Sequence, residues 1–181
     1  FTVSPVVISP DKENDLNQHL MLFFTGMART AEEIAKSYVV DIVEKGQKFR
    51  AMQKMVGESI DILTGSGSIE DFGKLLHEAW LEKSSLSKRV SNPYVDKIYS
   101  VAREVGALGG KLCGAGGGGF MLLFVPPEKQ NTLKKKLEKL VHVPFEFEQA
   151  GTQIIFHDEQ KRYFEEEEFR SQNHISSFLN L

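Results

Sequence analysis

The chain has 181 residues, of which 41% are hydrophobic and 26% are charged. This length and composition predict one soluble, globular domain with a core of its own. A net charge of −3 leaves no basic surplus for a nucleic-acid backbone, and the longest apolar run, Phe120–Val125, is far shorter than the ~20 residues of a transmembrane helix. One cysteine, Cys113, and no visible secretory signal favour a cytoplasmic protein.

The first half of the chain predicts one strand and four helices. Phe1–Asp15 contains two prolines and is expected to be extended or loop, and the apolar run Leu20–Thr25 favours a buried strand over a helix. Apolar stripes at helical spacing then predict helices from a Thr30–Glu33 capping box to Val43, from Gly46 to Gly65, from Ser68 through Trp80, and from an Asn92 cap to Gly106.

The second half predicts a glycine-rich stretch, Ala107–Gly119, followed by a strand at Phe120–Val125. A helix is expected from Pro127 through Val141, an alternating strand around Val143–Phe147, and a last strand at Thr152–Phe156. Helices segregated from a small, largely antiparallel sheet make an α+β fold. We predict one domain over residues 1–157, with residues 1–19 as an extended lead-in, and an acidic tail at residues 158–181.

Eight of the 15 glycines lie between Gly106 and Gly119. Glycine costs backbone entropy, so this density needs a physical reason. One reason is a nest of backbone N–H groups that binds an anion, and the other is close packing of a bend beneath the sheet. The neighbouring cation Lys111 favours the anion site.

Two common glycine motifs do not fit this stretch. A Walker A loop around Lys111 would need glycine at Val105 and a hydroxyl residue at Leu112. A dinucleotide fingerprint matches at Gly114, Gly116 and Gly119, but that motif opens a helix, whereas an apolar strand follows here. The remaining prediction is a loop that enters a strand with its amides towards an anion.

The segment GGKLCGAGGGGFMLLFVP resembles the third motif of the GHMP kinases, a family that includes galactokinase and mevalonate kinase. The segments Leu20–Ala31, Trp80–Tyr99 and Val143–Ile155 are similar to its sugar-phosphate branch, typified by D-glycero-D-manno-heptose 7-phosphate kinase. The resemblance implies a ferredoxin-like C-terminal domain with added helices. It also implies that the intact enzyme transfers the γ-phosphoryl group of Mg²⁺-bound ATP to a sugar or sugar phosphate.

In such a kinase the phosphate-binding loop, the Mg²⁺ ligand and the catalytic acid belong to an N-terminal half, which is expected to be this chain's partner. We therefore expect no catalytic or metal-binding residue in this chain, which alone would be inactive. The resemblance implies ATP- or phosphate-side roles for Gly114, Ala115, Gly116, Gly117, Gly118 and Lys111, and weaker substrate roles for Arg29, Lys83 and Lys88.

Two alternatives stay open. The chain could be a non-catalytic ferredoxin-like module for a small anion or a protein partner, or it could serve a galactokinase-like or mevalonate kinase-like specificity. No histidine pair has metal spacing, and His77 is interpreted as a hydrogen-bonded helix residue rather than a zinc ligand.

Overall fold

The computed structural model describes residues 5–27, 31–39, 45–148, 151–154 and 168. The elements in these ranges are α1 (Pro10–His19), β1 (Leu20–Phe24), α2 (Ala31–Val39), α3 (Gly46–Thr64), α4 (Glu70–Ser84), α5 (Pro93–Val105), β2 (Gly109–Leu112), β3 (Phe120–Phe124), α6 (Pro127–Lys136) and β4 (Val141–Val143). All of them lie in the first of two compact units, Phe1–Glu146; the second is Phe147–Leu181. The predicted α+β class is confirmed.

The four strands form one antiparallel sheet in the order β2-β3-β1-β4. Leu22 of β1 lies opposite Leu122 of β3 on one side and Val143 of β4 on the other. Met21 and Phe23 of β1 are each 1% exposed, whereas their neighbours along the strand are half-buried. This alternation is the one expected for a sheet with a single helix-covered face.

The core lies between that face of the sheet and the helices. Its main cluster joins Phe23 of β1 and Leu123 of β3 to Trp80 of α4 and to Val95 and Ala102 of α5. Burial of these side chains supplies the main favourable free energy of folding. None of the helices in the described ranges combines the length and apolarity of a membrane-spanning segment.

A glycine pair sets the distance between α4 and β2. A Cβ atom added to Gly109 would collide with the carbonyl oxygen of Gly73, and one added to Gly73 would come within 2.5 Å of the Phe124 ring. Only glycine permits this approach of helix to strand. The contact aligns α4 along β2, so that Lys83 near the C-terminus of α4 lies beside the end of β2.

The predicted boundaries of α5 are confirmed by its capping hydrogen bonds and by the backbone conformation at its end. The Asn92 side chain accepts from the backbone N–H groups of Tyr94 and Val95, Pro93 occupies the first turn, and Gly106 ends the helix at φ 115°. These are the standard N-cap and C-cap arrangements.

The prediction of an extended lead-in over residues 1–19 is wrong, because α1 begins at Pro10. Ser9 caps this helix by accepting from the Lys12 N–H at 3.2 Å, and Asp11 and Glu13 lie in its first turn, where negative charge is favourable. Leu16 is the one buried residue of this helix. The sequence therefore shows almost no apolar stripe from which the helix could be predicted.

The later strands also differ from the prediction. The strand expected around Val143–Phe147 lies at Val141–Val143, since Pro144 has no N–H to continue the ladder. Accordingly, α6 ends at Lys136, before this strand. Residues 152–154 form no strand, and residues 155–156 lie outside the described residues. The described ranges also contain β2, which was not predicted.

Candidate functional site

The glycine run forms the loop of the β2–β3 hairpin. Its base is closed by a hydrogen bond from the Cys113 N–H to the Phe120 carbonyl oxygen, at 2.8 Å. The loop therefore opens onto a strand, as its position in the sequence predicted. The φ angles of Gly114, Gly116, Gly117 and Gly119 are 73°, 120°, 77° and 90°.

The end of β1 holds one side of this loop. The backbone N–H and the hydroxyl of Thr25 both donate to the Gly119 carbonyl oxygen, at 2.8 and 2.9 Å, and the Gly119 N–H donates to the Met27 carbonyl oxygen at 2.7 Å. Thr25 is 1% exposed and is the one buried polar residue among the described residues. Its burial is tolerated because the hydroxyl is satisfied by the loop.

The turn before α5 holds the opposite side. The Gly117 N–H donates to the Val90 carbonyl oxygen at 2.8 Å, and the Asn92 side-chain amide donates to the Gly117 carbonyl oxygen at 3.1 Å. A Cβ atom added to Gly116 would lie 2.6 Å from the Val90 carbonyl oxygen. The loop thus lies directly on this turn, and Asn92 both caps α5 and fixes the loop.

Lys83 fixes the start of the loop. Its ammonium group donates to the carbonyl oxygens of Leu112 at 3.0 Å and Gly114 at 2.6 Å. Burial, and secondly the nearby Lys111 cation, lower the pKa of Lys83 to about 8. Lys83 is therefore a half-buried residue that is bound to the loop.

The loop amides divide into two sets. The N–H groups of Gly117 and Gly119 donate hydrogen bonds within the protein. Those of Gly114, Ala115, Gly116 and Gly118 have no hydrogen-bond partner among the described residues. Residues 116–118 are buried. Buried N–H groups without a partner are rare in folded proteins, so those of Gly116 and Gly118 call for an acceptor, whereas Gly114 is exposed and Ala115 is half-buried.

The other predicted site residues are spread around this loop. Lys111 lies on β2 and lines a cavity between α3 and α4 together with Lys83. Lys88 is exposed and lines a shallow depression that also contains Lys36, Lys45 and Arg89. Arg29 lies outside the described residues.

Sequence reasoning missed Thr25 and Asn92 as residues that position the loop. A signal existed for Thr25, which is a polar residue between an apolar strand and Gly26. Asn92 was recognised only as a helix cap, since its amide contact to Gly117 depends on the tertiary fold. The interpretation of His77 agrees with its hydrogen bond to the Tyr99 hydroxyl at 2.7 Å.

The described residues contain no group of three or more His, Cys, Asp or Glu side chains placed to hold a metal ion. The loop offers N–H donors and a lysine instead, which suit a phosphate rather than a cation. The described part of the chain therefore offers no cluster of ligands for Mg²⁺.

Comparison with known proteins finds a matching family and several similar kinases. Residues 51–142 match the family described as GHMP kinases C terminal. The D-glycero-alpha-D-manno-heptose 7-phosphate kinase of Campylobacter jejuni is 33% identical over 140 residues, which are 76% of this chain and 41% of that protein. The bifunctional fucokinase/GDP-fucose pyrophosphorylase of Arabidopsis thaliana is 30% identical over 152 residues, 80% of this chain and 14% of that protein.

A solved structure agrees with these matches. The mevalonate kinase of Methanococcus jannaschii superposes with a TM-score of 0.62 at 28% identity, covering 75% of this chain and 42% of that one. The chain thus spans less than half the length of each of these relatives. The family match contains α4, α5, the β2–β3 hairpin and its glycine loop. The chain belongs to the GHMP kinase family and carries its C-terminal domain.

Proposed function

We propose that the chain is the C-terminal part of an ATP-dependent sugar kinase, in which the glycine loop forms one wall of the ATP-phosphate site. The observation that carries this proposal is the set of four loop amides that have no partner among the described residues, at Gly114, Ala115, Gly116 and Gly118. In the proposed assembly the domain covers residues 1–157, residues 158–181 form a tail, and an N-terminal half supplies the catalytic acid. We place the enzyme in the cytoplasm.

The reaction is the transfer of the γ-phosphoryl group of ATP to an acceptor hydroxyl, with ADP as the second product. Mg²⁺, when bound through the N-terminal half, would neutralise phosphate charge. The loop amides would donate to phosphate oxygens on which negative charge develops, and a preorganised donor of this kind costs no reorganisation during the reaction. Lys83 would act on this wall by holding the Gly114 carbonyl oxygen.

For the acceptor we propose a sugar phosphate of the heptose 7-phosphate type. The similarity to the Campylobacter jejuni kinase over 76% of the chain supports this choice, while the fucokinase and mevalonate kinase matches supply the competing acceptors. Lys88 and Arg29 are the proposed contacts to the acceptor or its phosphate, and Lys111 is a proposed phosphate-side cation.

The acceptor is tested by ADP release from the longer protein that contains this chain. Heptose 7-phosphate, L-fucose and mevalonate are compared by kcat/KM at saturating Mg²⁺ and ATP. The proposal expects the heptose phosphate to exceed the other two by at least about tenfold, as one charge-assisted contact would give. A preference for fucose or mevalonate refutes the proposed acceptor, and no transfer to any sugar or sugar phosphate refutes the sugar kinase.

The loop is tested separately in the 181-residue chain by amide NMR with tripolyphosphate. Resonances of Gly114, Ala115, Gly116 and Gly118 should shift saturably, and those of Gly117 and Gly119 should shift less, since their N–H groups are already bonded. Equal shifts in both sets, or none, would remove the loop from the phosphate site.

The second candidate is a non-catalytic module that binds a small anion. It is favoured by one observation, namely that the four amides belong to a loop held entirely by contacts within this chain. Anion binding by the loop combined with no phosphoryl transfer by the longer protein would select this candidate.

A further inference from the structure

A cavity of about 270 Å³ lies between α3 and α4. Met52, Met55 and Val56 of α3 and Phe72, Leu76 and Ala79 of α4 line it, so its walls are almost entirely apolar. Helix α3 has 19 residues and none of them is fully buried, although Phe49 and Met52 pack against the main core cluster. The cavity is half open to solvent, and Val56 on its wall is 59% exposed.

Two cations lie at one end of this cavity. Lys83 and Lys111 both line it, and neither has a recorded acidic partner in the described part of the chain. Lys83 spends two of its three N–H groups on the carbonyl oxygens of Leu112 and Gly114, which leaves one donor. Burial, and after it the charge of Lys111, lowers the pKa of Lys83, so the two ammonium groups lie close enough to repel each other.

A ligand with an apolar body and a single negative charge would match both the apolar walls and the two lysines. Apolar cavities of about 150 Å³ stay dry and hold benzene, so this one can hold a ring or a short alkyl chain. A carboxylate at the cationic end would accept a hydrogen bond from the remaining N–H of Lys83. Its negative charge would also reduce the repulsion between the ammonium groups of Lys83 and Lys111.

We propose that the α3–α4 cavity binds a short-chain or aromatic monocarboxylic acid, with its apolar body between the helices and its carboxylate at Lys83 and Lys111. The site uses Lys83 and Lys111, which the proposed kinase function places on the phosphate side, but its apolar walls belong to α3 and α4, and its test does not require phosphoryl transfer. The site is nevertheless connected to the loop, since the Lys83 ammonium group that faces the carboxylate also holds the Gly114 carbonyl oxygen.

The probe is octanoate, titrated into the 181-residue chain with ¹³C-methyl-labelled methionine. The chain has five methionines. The methyl signals of Met52 and Met55 should shift saturably, whereas those of Met21 and Met121 in the sheet core should not. Octanol, which has the same body without the charge, should bind about tenfold more weakly.

Three variants separate this site from non-specific binding. Lys111→Met should weaken octanoate about tenfold, whereas Lys135→Met, at an exposed lysine of α6, should leave binding unchanged. Ala79→Leu should fill the cavity and abolish binding while keeping the cooperative urea transition of the folded chain. Unshifted Met52 and Met55 signals, equal binding of octanol, or undiminished binding by Lys111→Met or by folded Ala79→Leu would each overturn the proposal.

Discussion

Asn92 joins the start of α5 to the glycine loop, and two substitutions separate these contributions. Its side-chain oxygen accepts from the N–H groups of Tyr94 and Val95, each at 3.1 Å, and its amide donates to the Gly117 carbonyl oxygen at 3.1 Å. Asn92→Ala removes both the cap and the loop contact. Asn92→Asp keeps an oxygen for the cap but replaces the amide donor by a carboxylate oxygen, which cannot donate to the Gly117 carbonyl oxygen and repels it.

The expected magnitudes follow from these contacts. Loss of an N-cap costs about 1 kcal/mol and loss of one hydrogen bond to the loop costs about 0.5–1.5 kcal/mol, so Asn92→Ala should destabilise the chain by about 1.5–2.5 kcal/mol. Asn92→Asp should lose only the second part, and the new negative charge at the N-terminus of α5 should offset some tenths of it. The two variants should therefore differ by about 1 kcal/mol.

The assay is urea unfolding followed by circular dichroism, together with amide NMR of the loop. Ser9→Ala is the matched control, because Ser9 caps α1 through the Lys12 N–H and has no contact with the loop. It should cost about 1 kcal/mol without shifting the Gly117 resonance. The reasoning is refuted if Asn92→Asp and Asn92→Ala have the same free energy of unfolding. It is also refuted if Asn92→Asp, like the Ser9→Ala control, does not shift the Gly117 amide resonance.

Three further predictions concern the loop and its surroundings. Gly116→Ala should cost about 1–3 kcal/mol in urea unfolding because its Cβ meets the backbone, and Gly114→Ala, whose Cβ has open space, should cost only about 1 kcal/mol for its positive φ. Lys83 should titrate near pH 8 by side-chain NMR, and its midpoint should rise in Lys111→Met because the repelling charge is removed. Burial holds the pKa of His77 below its usual ~6.5, so its contribution to stability is complete above that pH and is lost as the pH falls; His77→Gln should show a smaller drop in Tm between pH 7.5 and pH 5.

The elements that sequence predicted well carry their own boundary signals. Helix α5 has Asn92 and Pro93 at its start and Gly106 at its end, and each acts on backbone groups within a few residues. Helix α3 is likewise bounded by glycines on both sides. Local hydrogen bonding and backbone geometry determine such positions, so a single sequence is sufficient to find them.

The elements that sequence missed depend on contacts distant in the chain. Strand β2 contains Gly109 and Gly110, which are poor strand formers, and it exists because Leu112 and its neighbours pair with β3 and pack under α4. Helix α1 depends on its Ser9 cap rather than on an apolar face. Neither β2 nor α1 therefore has a periodic pattern of apolar residues from which it could be predicted.

The site shows the same division. Sequence located the loop, excluded the two competing glycine motifs and supplied the family resemblance, and the strand that follows the loop is confirmed. It could not assign the loop amides, because every glycine in the run looks alike until its N–H partner is known. Val90 and Met27, which accept from Gly117 and Gly119, lie more than twenty residues away in the chain.

In the proposed phosphate site, those two bonded amides would let the loop present the others. An N–H group that points away from the protein is effective for phosphate only if its backbone cannot rotate to find an internal acceptor. Gly117 and Gly119 are anchored on opposite sides, and Lys83 holds the Gly114 carbonyl oxygen, so the amides between them keep fixed directions. The glycines permit the positive φ angles of this loop, and the anchoring hydrogen bonds then remove the freedom that glycine would otherwise have.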